Sequence, residues 1–230
     1  MALHPAHQLN VARKRARETR ERHGIPALGP VPDLVTRPGV PVVITGLPDA
    51  VDGAYLPSAA GATIFLNARR PVVRQRFTLA HELGHHVLGH ARSVDDAQAL
   101  AADGGGQPLD ERCANAFAAE LLIPPAAASA WVSARLPGAR LPETVEDVVR
   151  FAAAFGVSAA MGRIRLRTAR LIAPEHADAV LAALAAQEHL ALYDDLEELP
   201  VLDDTLARSA SGDGSRVPPA FAGSVGALRL

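Results

Sequence analysis

Residues 76–90, RFTLAHELGHHVLGH, contain the motif on which the fold and the chemistry of this chain depend. Apolar residues recur in this stretch at helical spacing, which predicts a helix with one buried face. His81 and His85 are four residues apart, so on a helix they share a face and can offer two imidazole nitrogens to one ion. With Glu82 beside them to take a proton from an attacking water, the pattern indicates a zinc hydrolase.

Two residues around the motif agree with this interpretation. Pro71 suits the first turn of a helix, and Gly84 leaves out a side chain where another backbone could approach. The competing interpretation is that His81 and His85 are ordinary surface histidines on an amphipathic helix. The apolar stripe that accompanies them favours metal binding.

A catalytic zinc site needs a third protein ligand and keeps its fourth position open for water. The three-histidine pattern would need glycine at position 88 and histidine at position 91, whereas the chain has Leu88 and Ala91. That class is therefore excluded. The next source of ligands is residues 110–124, DERCANAFAAELLIP, a helix that Pro124 would end. Its candidates are Glu111, Cys113 and Glu120.

Helix geometry separates these three candidates. At about 100° per residue, Glu120 lies roughly opposite Glu111, and Cys113 is well off the Glu111 face. Asn115 shares that face and could accept a hydrogen bond from the outer nitrogen of a histidine ligand. The predicted zinc ligands are therefore His81, His85 and Glu111. For Glu120 we expect a solvated or capping role, and for Cys113 a buried apolar role, with ligation as the alternative.

The two central stretches together resemble a known family. RFTLAHELGHH (76–86) followed by ERCANAFAAELLIP (111–124) is similar to the ImmA/IrrE-type metallopeptidases, and the similarity extends to GATIFLN (61–67) and FGVSAAMGRIRLRTARLI (155–172). It covers approximately residues 10 to 172. The resemblance implies a zincin-like fold. It also implies His81, His85 and Glu111 as ligands of one zinc ion per chain, with Glu82 as general base.

The resemblance also implies a function. The expected reaction is hydrolysis of a peptide bond in a protein substrate, namely a helix-turn-helix transcriptional repressor in a stress-response or mobile-element circuit. The sequence does not identify the residue that would stabilise the oxyanion of the tetrahedral intermediate, because four side chains are equally possible donors. These are Tyr55, His86, His90 and His176.

Short apolar runs at 40–45, 50–56 and 62–67 are separated by turn residues and predict a small antiparallel sheet packed on the HExxH helix. With a mostly helical C-terminal half, this gives an α+β fold. We expect 62–67 to be an exposed edge that an extended substrate joins, with an internal strand as the alternative. Residues 93–108 read as a polar loop.

The predicted domain organisation is a metallopeptidase domain at 1–172, a helical extension at 173–199 and a flexible tail at 200–230. The 230 residues are 49% hydrophobic and can bury a core. The chain shows no apolar run of about 18 residues and no signal-peptide pattern, so we expect no membrane partner. A single cysteine excludes an internal disulfide, and we expect a cytoplasmic protein.

Two other functions compete with proteolysis. The first is a non-catalytic, zinc-stabilised partner-binding module, whose signature would be a fourth ligand such as Cys113 or His90. The second is DNA binding through the basic segment 6–22 or through the pair of helices at 144–168. The net charge of −2 gives no general attraction to nucleic acid, and we expect no direct nucleic-acid binding. For these two basic segments we expect a solvated face and a scaffold, respectively.

Overall fold

The structure, a computed structural model, describes residues 4–32, 34, 39–59, 61–91, 93–96, 107–136, 138 and 140–187. The elements in these ranges are α1 (Pro5–Arg22), β1 (Val42–Thr45), β2 (Val51–Ser58), β3 (Gly61–Asn67), α2 (Val72–Leu88), β4 (Ser93–Asp96), α3 (Leu109–Leu122), α4 (Pro125–Arg135), α5 (Val145–Phe155), α6 (Ala159–Thr168) and α7 (Pro174–Ala185). The predicted α+β class with a mostly helical C-terminal half is confirmed. The predicted tail, 200–230, lies outside the described residues.

The described chain divides into two compact units. The first comprises 4–17 and 34–118, and the second comprises 18–32 and 119–187, each with the gaps given above. The first unit contains the sheet and α2, and the second contains α4 to α7. The sequence-based bounds at 172 and 199 stay a prediction.

Among the described residues, the sheet of the first unit has four strands in the order β1-β3-β2-β4. β2 and β3 pair antiparallel, and β4 adds to β2 in the same sense. β1 instead runs parallel to β3. The chain reverses direction between β1 and β2 and again between β2 and β3, so β3 runs in the same direction as β1 and pairs with it. The sheet is therefore mixed, which corrects the expectation of a purely antiparallel sheet.

β3 lies inside the sheet and not at its edge. It pairs with β1 on one side and with β2 on the other, so the prediction of an exposed substrate-binding edge at 62–67 is wrong. The outer strands are β1 and β4. The first four residues of the stretch 93–108 form β4, so the prediction of a loop is wrong for Ser93–Asp96. The apolar pattern of a strand indicates its two faces but not its neighbours.

α2 packs on one face of β2 and β3. Alternation along β2 sends Gly53 and Tyr55 to this face, and Ala54 to the opposite one. There Ala54 joins a buried apolar cluster with Val43 and Phe65. α2 and this apolar cluster thus lie on opposite faces of the sheet.

The start of α2 is fixed to β2 by a buried carboxylate. Asp52 is 1% exposed and accepts hydrogen bonds from Nε of Arg70 at 2.6 Å and Nε of Arg74 at 2.7 Å. Because Asp52 directly precedes Gly53, these ion pairs fix the helix close to Gly53, where a Cβ would stand 2.4 Å from Cγ2 of Thr78 on α2.

Aromatic and small residues pack the helices of the second unit. The ring centroid of Trp131 on α4 lies 5.3 Å from that of Phe151 on α5. Gly162 lets α6 approach α5, since a Cβ there would stand 2.9 Å from Cβ of Ala152. Thr144 and Ser158 act as N-caps of α5 and α6, so these helices begin at Val145 and Ala159.

Several arginines of the two basic segments are interior. On α6, Arg163 and Arg165 are 4% and 7% exposed, and Arg165 donates to the carbonyl of Ile123. On α1, Arg20 is 3% exposed and donates to the carbonyl of Leu121, so the expected solvated face is wrong at this position. A long basic side chain can reach backbone carbonyls inside a fold, which a charge count cannot show.

Within the described ranges, no single helix combines enough length and apolar character to cross a membrane. One bent pair, α3 with α4, passes that test only when its two helices are taken together.

Candidate metal centre

α2 presents both histidines of the motif at one point. His81 and His85 are 0% and 1% exposed, and their Nε2 atoms lie 3.0 Å apart. This proximity follows from the four-residue spacing, which stacks side chains on successive turns of a helix. Two imidazole nitrogens therefore face the same small volume.

Glu111, in the first turn of α3, completes the cluster. Its Oε2 lies 3.1 Å from Nε2 of His81, and its Oε1 lies 3.5 Å from Nε2 of His85. The three ligand atoms all lie within 4.8 Å of one another. Hydrogen bonds with His81 and His85 outweigh the effect of burial and lower the pKa of Glu111 far below its usual range. The group is therefore a carboxylate at neutral pH.

A glycine between the two histidines allows α2 and α3 to touch. A Cβ on Gly84 would stand 3.1 Å from Cα of Ala114 and 3.2 Å from Cδ1 of Phe117. Both distances are tighter than ordinary van der Waals contact. The expected close approach of another backbone at Gly84 is confirmed, and it brings the Glu111 end of α3 to the histidines.

Each histidine also has a partner at its outer nitrogen. Nδ1–H of His81 donates to Oδ1 of Asn115 at 2.9 Å, which is the hydrogen bond expected from the helical spacing of Asn115 and Glu111. Asn115 in turn donates to Oε1 of Gln107 at 3.0 Å. Nδ1 of His85 lies 3.0 Å from Nδ1 of His90. Both rings are thus oriented with Nε2 toward the cluster.

Glu82 follows His81 directly on α2 and is fully buried. The hydroxyl of Ser93 donates to its Oε2 at 2.8 Å. Gly53 of β2 provides the space for the carboxylate, because a Cβ there would stand 3.4 Å from Oε1 of Glu82 and 2.4 Å from Cγ2 of Thr78. Neither Ser93 nor Gly53 was predicted from the sequence as part of the site. A lone glycine within a strand pattern is a signal for close approach, whereas nothing local singles out Ser93.

The other two ligand candidates lie elsewhere. Cys113 is 2% exposed, as expected of a small apolar residue, and burial raises the pKa of its thiol. Glu120 is also only 2% exposed and forms an ion pair with Nη2 of Arg165 at 3.1 Å, so the expectation of a solvated or capping role is wrong. Neither belongs to the group formed by His81, His85 and Glu111.

The four side chains that the sequence leaves open as oxyanion donors lie at different places in the structure. The hydroxyl of Tyr55 lies 3.4 Å from Nδ1 of His86, and burial raises the pKa of this phenol. His90 contacts the outer nitrogen of His85 and not the cluster side of that ring. His176 lies on α7, in the second unit.

A buried H-E-x-x-H helix on a small mixed sheet, with a carboxylate from the next helix facing both histidines, is the architecture of a zincin-like metallopeptidase. The family model described as the IrrE N-terminal-like domain, a peptidase family, matches residues 35–167. Because this match spans more than half of the 230 residues, the chain belongs to that family. The resemblance stated from the motifs is confirmed, and the general class is metallopeptidase. A comparison with curated proteins gives no significant match.

Proposed function

We propose that this chain is a zinc-dependent endopeptidase that hydrolyses a peptide bond in a protein substrate and binds one zinc ion. One observation carries the proposal. One ligand atom each of His81, His85 and Glu111 lies within 4.8 Å of the others, and Glu82, the residue after His81 on the same helix, is fully buried.

The donor set fits zinc. Two neutral imidazoles and one carboxylate form the His2Glu set of catalytic zinc sites. Asn115 and His90 contact the outer nitrogens of the two rings, and both Nε2 atoms face the Glu111 carboxylate, where an ion would bind. A bound zinc ion would supply Lewis acidity, which acidifies a water molecule and polarises the scissile carbonyl.

Glu82 is the proposed general base and acid. It takes a proton from water as the water oxygen bonds to the carbonyl carbon. It then gives that proton to the amine nitrogen as the C–N bond breaks. One water is consumed and Glu82 returns to its starting state. The hydrogen bond from Ser93 restrains rotation of the carboxylate during both transfers.

The ligand count favours catalysis over a purely structural zinc site. A structural site is closed by four protein ligands, whereas a catalytic site has three and one open position. Among the described residues, no fourth histidine, cysteine, aspartate or glutamate joins the group. Cys113 and His90, the candidates for closing the site, are not members of it.

For the substrate we propose a helix-turn-helix transcriptional repressor of a stress-response or mobile-element circuit, cleaved in the cytoplasm. Family membership supports this substrate class, because the ImmA/IrrE-type peptidases that the motifs resemble are associated with such repressors. The burial of Arg163 and Arg165 supports recognition of a protein over direct nucleic-acid binding.

The test combines a repressor encoded beside the gene with purified, zinc-loaded protein, and follows fragments by mass spectrometry. We expect cleavage that stops with a chelator and with Glu82→Gln, while Glu82→Gln keeps its full zinc content. Glu175→Gln, an exposed glutamate on α7, is the matched control and should cleave normally. Equal cleavage by Glu82→Gln would reject the general base, and absence of stoichiometric metal in the parent protein would reject the zinc site.

A further inference from the structure

The C-terminus of α2 turns back over the histidine pair. Gly89 has φ of 70°, and its N–H donates to the carbonyl of His86 at 3.2 Å. The N–H of His90 donates to the carbonyl of His85 at 3.0 Å. This is a Schellman motif, in which a left-handed residue, usually glycine, reverses the chain after the last helical turn. The reversal brings His90 onto the same side of the helix as His85.

The side chain of His90 completes this contact. Its Nδ1 lies 3.0 Å from Nδ1 of His85, and the two ring centroids are 5.0 Å apart in an edge arrangement. The side chain of His90 is only 13% exposed. The contact is therefore built into the packing and is not a chance approach of two surface rings.

The two ring nitrogens of His85 have different neighbours and therefore different roles in metal binding. Its Nε2 faces His81 and Glu111, so a neutral His85 that binds a cation through Nε2 carries its proton on Nδ1. That N–H needs an acceptor, because it is buried. Nδ1 of His90 is the atom within reach.

We propose that His90 is a positioning residue: its Nδ1 accepts a hydrogen bond from Nδ1–H of His85 and thereby keeps His85 in the tautomer and orientation that bind the metal ion. This inference rests on the proposed metal site. It places His90 in a role distinct from that of a fourth ligand.

The tautomers along this chain of contacts agree with one another. If His90 accepts at Nδ1, its proton is on Nε2, which points toward Oδ1 of Asp110 at 3.7 Å. The Asp110 side chain is 62% exposed, so its attraction is screened and secondary. His81 has the equivalent arrangement through Asn115 and Gln107. Each predicted histidine ligand thus has two polar residues in succession on the side of its outer nitrogen. They are Asn115 and Gln107 for His81, and His90 and Asp110 for His85.

The experiment measures the zinc affinity of metal-free protein by competition with a chromophoric chelator. His90→Leu retains the size of the side chain but has no acceptor, and we expect roughly 10- to 100-fold weaker binding. His90→Asn places an amide oxygen where Nδ1 stood and should restore most of that affinity. His7→Ala, at an exposed position on α1, removes an imidazole away from the site and should bind zinc as the parent does.

The outcomes separate this inference from the proposed function. If the parent binds no zinc, the metal site itself is wrong. If the parent binds and His90→Leu binds equally well, His90 has no positioning role. If Leu and Asn weaken binding equally while circular dichroism stays unchanged, the effect is packing and the inference fails. Gly89→Ala gives a second route, because strain at its positive φ should displace His90 and weaken zinc binding with every imidazole retained.

Discussion

Oγ of Ser93 donates a 2.8 Å hydrogen bond to Oε2 of Glu82. Ser93 is the first residue of β4 and pairs with Tyr55 of β2, so the sheet fixes its hydroxyl against α2. Ser93 and Glu82 are 8% and 0% exposed, respectively. A hydrogen bond to an ionised carboxylate is stronger than one between neutral groups. This bond therefore helps to fix the orientation of the Glu82 carboxylate, the proposed general base.

We expect Ser93→Ala to lower kcat by about tenfold or more. A hydrogen bond to a charged group is worth about 1.5–3 kcal/mol, and about 1.4 kcal/mol corresponds to tenfold in rate. Zinc affinity and KM should change little, because Ser93 contacts the base and none of the ligands. Steady-state cleavage and zinc titration on the same preparation measure both quantities.

Two variants control this experiment. Ser93→Thr keeps the hydroxyl and should recover most of kcat. Ser133→Ala, at an exposed position on α4, should have no effect. A fall in zinc affinity that parallels the fall in kcat would show that Ser93 acts on the metal centre as a whole and not on Glu82.

Glu111 and Glu120 lie on one helix and should respond oppositely to the same substitution. Glu111→Gln should weaken zinc binding strongly, since Glu111 is proposed as a ligand. Glu120→Gln should leave zinc binding intact. It should lower the free energy of unfolding by about 3 kcal/mol, because Arg165 remains buried without its charged partner.

Zinc titration and urea unfolding of the two metal-free variants together test this contrast. Each variant is the control for the other, because both replace a glutamate of α3 with its amide. A loss of zinc binding in Glu120→Gln alone would move the third ligand to Glu120 and reject the assignment of Glu111.

The sequence could predict what local periodicity determines. The spacing of His81 and His85 brings their nitrogens together in any α-helix, and the spacing of Glu111 and Asn115 places both on the face that meets them. Pro124 likewise ends α3 at Leu122, because proline cannot continue a helix.

Pairing between distant residues could not be predicted in this way. Glu120 looked solvated because its partner, Arg165, is 45 residues away in the chain. β3 has the apolar pattern of a strand, yet its place between β1 and β2 depends on how three segments assemble. Ser93 reaches Glu82 only because β4 joins that sheet.

Gly53 is a position where β2 and α2 are too close for a side chain on the strand. We expect Gly53→Ala to impair both stability and catalysis. The added Cβ would stand 2.4 Å from Cγ2 of Thr78 and 2.9 Å from the carbonyl oxygen of Phe65, so the helix and strand must separate. Overpacking of this kind costs about 1–3 kcal/mol. Because Glu82 borders the same gap, kcat should also fall. Thermal unfolding and cleavage rates measure the two effects.

Gly46→Ala is the matched control, since its Cβ would meet only the flexible Arg69 side chain, 3.7 Å away at Nε. Adding Thr78→Ser to Gly53→Ala removes the nearer clash but not the one with the Phe65 carbonyl, so it should recover part of the stability. A Gly53→Ala protein as stable and active as the parent would contradict the proposed close approach.

We expect the protein to become less stable at low pH, because a carboxylate that caps α5 becomes protonated. Asp147 closes the capping box of α5 with Thr144, and Arg140 donates to it at 2.8 Å. Burial opposes ionisation, but hydrogen bonds from Arg140 and from the Glu143 and Thr144 amides outweigh it and lower the pKa of Asp147 to about 2. A depressed pKa stabilises the fold above the unfolded value of about 3.9, and this stabilisation is lost as pH falls toward the folded value.

We therefore expect urea unfolding to show a loss of about 2 kcal/mol between about pH 4 and pH 2 that Asp147→Asn lacks. Asp147→Asn should also be less stable than the parent at pH 7, because the ion pair with Arg140 is gone and the cap is weakened. Asp178→Asn, an exposed carboxylate on α7, is the matched control and should leave the parent profile in place. If Asp147→Asn loses as much stability as the parent over this interval, other groups cause the acid sensitivity.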